Sequence, residues 1–269
     1  VVASAPRGDR RRPKPGDDMT DRINVMIPWL GQEAADAVAE AIASGWVAQG
    51  PRVARFEEEF AEAMQASYAV ATSSCTTALH LALIVAGIGP GDEVIVPSFS
   101  FIATTNAVAY VGATPVFVDV DLETGNMTAA GFQNALTSAT RAVIVVDQGG
   151  VPVDLDPIRE VADPLGIVVI EDAACGAGST YRGRPVGAGA DIAAWSFHPR
   201  KIVTTGEGGM LVTRDPDLAA RARAEGHDRE RVAAGLEAVG QGGERLLLDV
   251  EHAPALDPGI GRERGVDQD

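Results

Sequence analysis

Ile167–Asp172 reads IVVIED, four branched apolar residues in a row closed by two carboxylates. A strand covered on one face alternates apolar and polar residues, whereas a strand covered on both faces reads as a nearly unbroken apolar run. This stretch is of the second kind. Runs of similar character recur at Tyr68–Thr72, Glu93–Pro97, Pro115–Asp119, Ala142–Asp147, Ile192–Phe197 and Gly209–Thr213, with helical or turn segments between them. Ahead of them, Gln32–Ser44 (QEAADAVAEAIAS) has helical composition and Gly45 is a stop signal. In Arg52–Gln65 the residues Phe56, Phe60 and Met64 recur every fourth position, on one helical face. A third helix is expected from Thr76 to Ala86. Strands alternating with helices predict an α/β fold, a three-layer sandwich around a mostly parallel seven-stranded sheet. No internal repeat is visible.

The 269 residues suffice for one large domain or one domain with an appendage. Hydrophobic residues make up 46% and aromatic ones only 5%, so the core has to be built from Val, Ala, Ile and Leu. A formal net charge of -16 argues against nucleic acid as a partner, because a phosphate backbone would repel it. No stretch approaches the roughly 18 apolar residues of a membrane span, and the start of the chain has no apolar signal core. Cys75 and Cys175 are far apart and lack metal-ligand spacing, so no metal is expected and reduced thiols in a cytoplasmic setting are. Val1–Asp18 is rich in Arg, Pro, Gly and Asp, and residues 1–22 are expected to form a disordered tail, with Met19 as an alternative start. The folded domain is placed at 23–223. Residues 224–269 carry one short apolar run, Leu246–Val250, and are expected to be an atypical, disordered or truncated segment.

Lysine usage points to chemistry. The 22 basic residues include two lysines, Lys14 in the tail and Lys201 in the loop after Ile192–Phe197. A reaction that needs an amine cannot use Arg, whose guanidinium stays protonated. Lysine forms a Schiff base with an aldehyde; the plainer reading is a surface lysine. Asp172 closes a buried strand, where a carboxylate is costly without a partner. A protonated pyridine nitrogen would be one, and a ring kept cationic absorbs the electrons of a carbanion; a salt-bridged strand end or helix cap is the alternative. Ser73–Thr77 (SSCTT) opens a helix, where free N–H groups and the helix dipole suit a phosphate, or where Ser and Thr simply cap. Phe99 and Phe101 follow Glu93–Pro97 and suit either stacking on a flat ring or core packing. An anion site, an aromatic, a strand-end aspartate and a loop lysine together map onto the parts of pyridoxal phosphate (PLP).

These segments resemble the DegT/DnrJ/EryC1/StrS sugar aminotransferases. The matching text is SGWVAQGP (44–51), TSSCTTALHLAL (72–83), GPGDEVIVPSFSF (89–101), GATPVFVDVD (112–121), EDAACGAG (171–178) and SFHPRKIVTTGEGG (196–209). The resemblance implies the large domain of the PLP-transferase fold type I, with a small C-terminal domain missing or incomplete. It implies PLP as cofactor, Lys201 as its covalent anchor and proton carrier, and Asp172 on the pyridine nitrogen. Phe101 would stack on the ring. Ser74, Cys75, Thr76 and Ser196 would hold the phosphate. Cys175 stands where many relatives have Gln near the phenolic oxygen. DQGG (147–150) stands where many have a His-containing segment, so Gln148 is a substrate-pocket candidate. His198, inside SFHPRK, is a second one, with a structural role beside it. The implied reaction moves an amino group from an amino-acid donor, glutamate, to a nucleotide-linked keto-deoxysugar, in a cytoplasmic homodimer. A non-catalytic cofactor-binding remnant and a sugar dehydratase are the alternatives; relatives of the latter kind carry His at the lysine position.

Overall fold

The computed structural model describes Pro28 and residues 30–227. The expected tail at 1–22 and residues 228–269 of the expected C-terminal segment lie outside the described residues. Helix α1 (Gln32–Ser44) stops where Gly45 takes a left-handed φ of 78°, a conformation that costs glycine nothing. Helix α2 (Pro51–Ala63) begins one residue earlier than its periodicity suggests, because Pro51 sits at the first turn with its φ already helical. It ends earlier too, since Gln65 adopts a φ of 52°.

The strands are β1 (Tyr68–Thr72), β2 (Glu93–Pro97), β3 (Thr114–Val118), β4 (Thr140–Val146), β5 (Val168–Asp172), the two-residue strands β6 (Thr180–Tyr181) and β7 (Arg184–Pro185), β8 (Ile192–Ser196) and β9 (Gly209–Thr213). Helices α3 (Cys75–Val85), α4 (Ala103–Tyr110), α5 (Ala129–Asn134), α6 (Leu155–Ala162) and α7 (Pro216–His227) lie between and after them. Strands β6 and β7 pair as a small hairpin. The others form one seven-stranded sheet in the order β1-β9-β8-β5-β4-β2-β3. All its pairings are parallel except the two that β9 makes with β1 and β8. The seam between β5 and β8 is short: Ile170, Glu171 and Asp172 pair with Ile192, Ala193 and Ala194.

Successive side chains of each strand go to opposite layers. Val94, Val96, Ala142, Ile144, Ile170, Ile192, Ala194 and Leu211 pack with α3, α4 and α7. Ile95, Val143, Val145 and Val169 pack with α5 and α6 on the other face. There too, Ala193, Trp195, Met210 and Val212 meet α2 through Ala61, Phe56 and Phe60. Burial on both faces is what the unbroken Val/Ile runs record. The expected three-layer sandwich is the observed one, with a mixed sheet of seven strands.

Candidate active site

The carboxyl ends of β1, β8, β5 and β2 share one edge of the sheet, the edge where open α/β sheets bind ligands. Asp172 ends β5 and is 5% exposed. Strand alternation turns its side chain to the α3–α4 layer. There Thr104 Oγ1 on α4 donates to Oδ2 at 2.9 Å. The Ala174 N–H donates to Oδ1 at 3.2 Å, and the Cys75 thiol on α3 reaches Oδ1 at 3.7 Å. None of these donors is a cation. Burial raises the carboxyl above its ordinary range, while the Thr104 and Ala174 hydrogen bonds and the charge of Lys201 pull it back down. The Cys75 thiol is pushed well up, first by burial and then by the Asp172 charge. It is therefore a neutral S–H donor and not a thiolate nucleophile.

Lys201 lies in the loop joining β8 to β9. A turn closed by its own N–H and the His198 carbonyl at 2.8 Å presents it. Its Nζ donates to Cys175 Sγ at 3.1 Å, in the turn that follows Asp172. Its charge acts on both Asp172 and Cys75. The amine, the two thiols and the strand-end carboxylate therefore form one cluster.

Helix α3 starts beside it. Ser74 is its cap, with Oγ accepting from the Thr77 N–H at 3.2 Å, and the Ala78 N–H is taken by the Ser74 carbonyl at 3.0 Å. The N–H groups of Cys75 and Thr76 remain for an anion at the positive end of the helix. The register places Gly209 between Thr72 of β1 and Ser196 of β8. A Cβ on Gly209 would lie 2.4 Å from the Ser74 carbonyl carbon. Only glycine lets the start of β9 come so close to the helix start, which sets the Ser196 hydroxyl on the same side as Ser74–Thr76.

Phe101 is 75% exposed and Phe99 57%, so neither ring is core. The Phe101 carbonyl accepts from the Thr104 N–H at 3.1 Å, which ties the Phe101 turn to the residue that touches Asp172. The Gln148 N–H donates to Asn126 Oδ1 at 3.0 Å, and its side chain packs near Gly125, which the Phe99 ring also borders. His198 Nδ1 accepts from the Arg200 N–H at 3.2 Å and Nε2 lies 3.8 Å from Glu207. Those contacts shape the lysine turn. Sequence reasoning missed Thr104, which nothing in ATTNA distinguishes from Thr105. It also passed over Asp147, although Asp147 follows an apolar strand just as Asp172 ends one.

The family model described as the DegT/DnrJ/EryC1/StrS aminotransferase family matches residues 28–236. The chain belongs to this family. DegT-family aminotransferases are PLP-dependent. Their GDP-perosamine synthase from Caulobacter vibrioides is 48% identical over 203 residues, covering 75% of this chain and 55% of that one. The aminotransferase structure from Psychrobacter cryohalolentis aligns with a TM-score of 0.72 at 44% identity, covering 74% of this chain and 51% of that one. A proposed sugar aminotransferase of Streptococcus pneumoniae, solved in its PLP form, aligns with a TM-score of 0.71 at 32% identity, covering 75% of this chain and 57% of that one. The chain thus spans about half the length of the DegT-family relatives it matches. Among the described residues no helix is long and apolar enough to cross a membrane.

Proposed function

We propose that residues 23–223 are the cofactor-binding large domain of an aminotransferase acting on a nucleotide-linked keto-deoxysugar, with glutamate as amino donor and a homodimer as the working form in the cytoplasm. The observation that carries the reading is the Lys201–Cys175–Asp172 cluster beside the start of α3. PLP fits it by the chemistry of its groups. A buried carboxylate without a cationic hydrogen-bond partner suits a protonated ring nitrogen, the N–H groups of Cys75 and Thr76 with the Ser196 hydroxyl suit a phosphate, and the amine suits an aldehyde. When bound, the group supplies an aldehyde for amine exchange and an electron sink for the α-carbon.

The chain's own residues do the rest. Lys201 Nζ would hold the group, and as a free amine it would carry the α-proton. Asp172 keeps the ring nitrogen protonated, with Thr104 fixing the orientation of its carboxylate. The exposed Phe101 ring gives a flat surface for stacking. Cys175 accepts a hydrogen bond from the amine and fixes where it rests. GDP-perosamine synthase, by its name, makes a nucleotide-linked amino sugar, which supports the substrate class.

The test is spectroscopic. The full chain mixed with PLP should acquire the visible absorbance of a lysine-bound cofactor, and Lys201→Ala should not. Glutamate should then bleach that band. A chain that never acquires the band ends the reading, and a band that glutamate leaves untouched would show binding without amino transfer.

A further inference from the structure

Two carboxylates are buried together on the face of the sheet opposite to Asp172. Asp147 follows β4 and is 0% exposed; Glu171 precedes Asp172 on β5 and is 2% exposed. One oxygen of each is satisfied by the backbone. Asp147 Oδ1 accepts from the Val153 N–H at 3.0 Å, and Glu171 Oε1 accepts from the Gly187 N–H at 2.9 Å. The other oxygens, Asp147 Oδ2 and Glu171 Oε2, are buried without a donor. The register pairs Val145 with Glu171, so Asp147, two residues further on, stands diagonally beside Glu171 on the same face, and each carboxyl acts on the other's titration. The turn after β5 closes over them: a Cβ on Gly176 would lie 3.0 Å from Asp147 Oδ2 and 2.5 Å from Val186.

Two ionised carboxylates side by side and away from water repel each other and lack donors. One proton removes both problems, because a protonated carboxyl donates and its neighbour accepts. We propose that Asp147 and Glu171 share a single proton as one acid–carboxylate pair, and that this pair is a positioning element for Asp172. The pair reaches Asp172 by two routes: Glu171 is its chain neighbour, and the Asp147 N–H donates to the Asp172 carbonyl at 3.1 Å. The positioning half rests on the reading of Asp172 as a cofactor ligand; the shared proton does not.

The charged groups facing the pair are Asp172 on β5, which opposes a second negative charge on Asp147, and Arg184 on β7, which favours one on Glu171. Burial outweighs both and raises both acids, Asp147 to about 8. The proton belongs to the pair and not to either residue. A carboxyl held protonated in the fold contributes stability that is complete below the ordinary carboxylate range. That contribution is lost progressively as pH rises towards about 8. An amide at position 147 would donate to Glu171 without any proton to lose.

Infrared spectroscopy of the full chain near neutral pH is the direct test. The wild type should show a protonated-carboxyl C=O band that fades above pH about 8, and both Asp147→Asn and Glu171→Gln should lack it. A wild type without the band, or a band that survives in both variants, overturns the shared proton. The thermal midpoint of Asp147→Asn should fall less than that of wild type between pH about 5 and about 8; parallel curves count against the pair. For positioning, Asp147→Ala should release PLP faster while Asp147→Asn retains it, and equal retention would sink that half. Failure of the cofactor reading is distinguishable, since it would remove the Lys201-dependent absorbance and leave the infrared band in place.

Discussion

Thr104 carries the most testable single contact of the site. It is fully buried, and its hydroxyl donates to Asp172 while also pairing with Ser100 Oγ at 2.7 Å. Thr104→Val keeps the shape and removes the donor. It should cost about 1–3 kcal/mol in urea unfolding and weaken PLP retention, and Thr104→Ser should restore both. Equal behaviour of the two variants would mean the hydroxyl is not what orients Asp172. At this scale the sequence was legible where the chemistry restricts residue choice. Lys201 stood out because Arg cannot replace an amine, and Asp172 because a carboxylate closing an apolar strand needs a reason. Thr104 carried no such mark. Only the phase of α4, fixed by the burial of Ala107 and Val108, turns Thr104 and not Thr105 toward β5.

The start of α3 and the start of β9 depend on each other. Ser74→Ala removes the side-chain cap on Thr77 and should lower stability by about 1 kcal/mol. Gly209→Ala forces a methyl into the Ser74 backbone and should cost about 1–3 kcal/mol. It should also weaken phosphate binding, measured as competition between inorganic phosphate and PLP; unchanged competition would separate the contact from the anion site. The seven sheet strands were legible to within two residues: burial on both faces leaves a continuous apolar signature in the central ones, and the edge strand β3 keeps an apolar run although Phe117 is exposed. Helices α4, α5 and α6 were not placed, since 8, 6 and 8 residues hold too few turns for a period to show. The reversed direction of β9 was also invisible. Composition records burial, whereas direction is decided by a loop that returns to the neighbouring strand.

Across the whole molecule, few aromatics do much of the packing on one side. Phe56 and Phe60 of α2 meet Trp195 and Phe197 with ring centroids 5.2–5.3 Å apart. Phe60→Ala should lower stability by about 1.5–3 kcal/mol, a partly buried ring's worth, and make α2 the first helix cut in limited proteolysis. Cleavage elsewhere first would show that α2 is held by other contacts. The three-pair junction between β5 and β8 has its own consequence. Asp172 and Cys175 stand on one bank of that junction; Lys201, Ser196 and the Ser74–Thr76 turn stand on the other. A small molecule gripped from both banks acts as a clasp across this three-pair join. Amide hydrogens of Ile192–Ala194 should then exchange with solvent more slowly in the presence of PLP than in its absence, because parting the banks would first require letting go of the clasp.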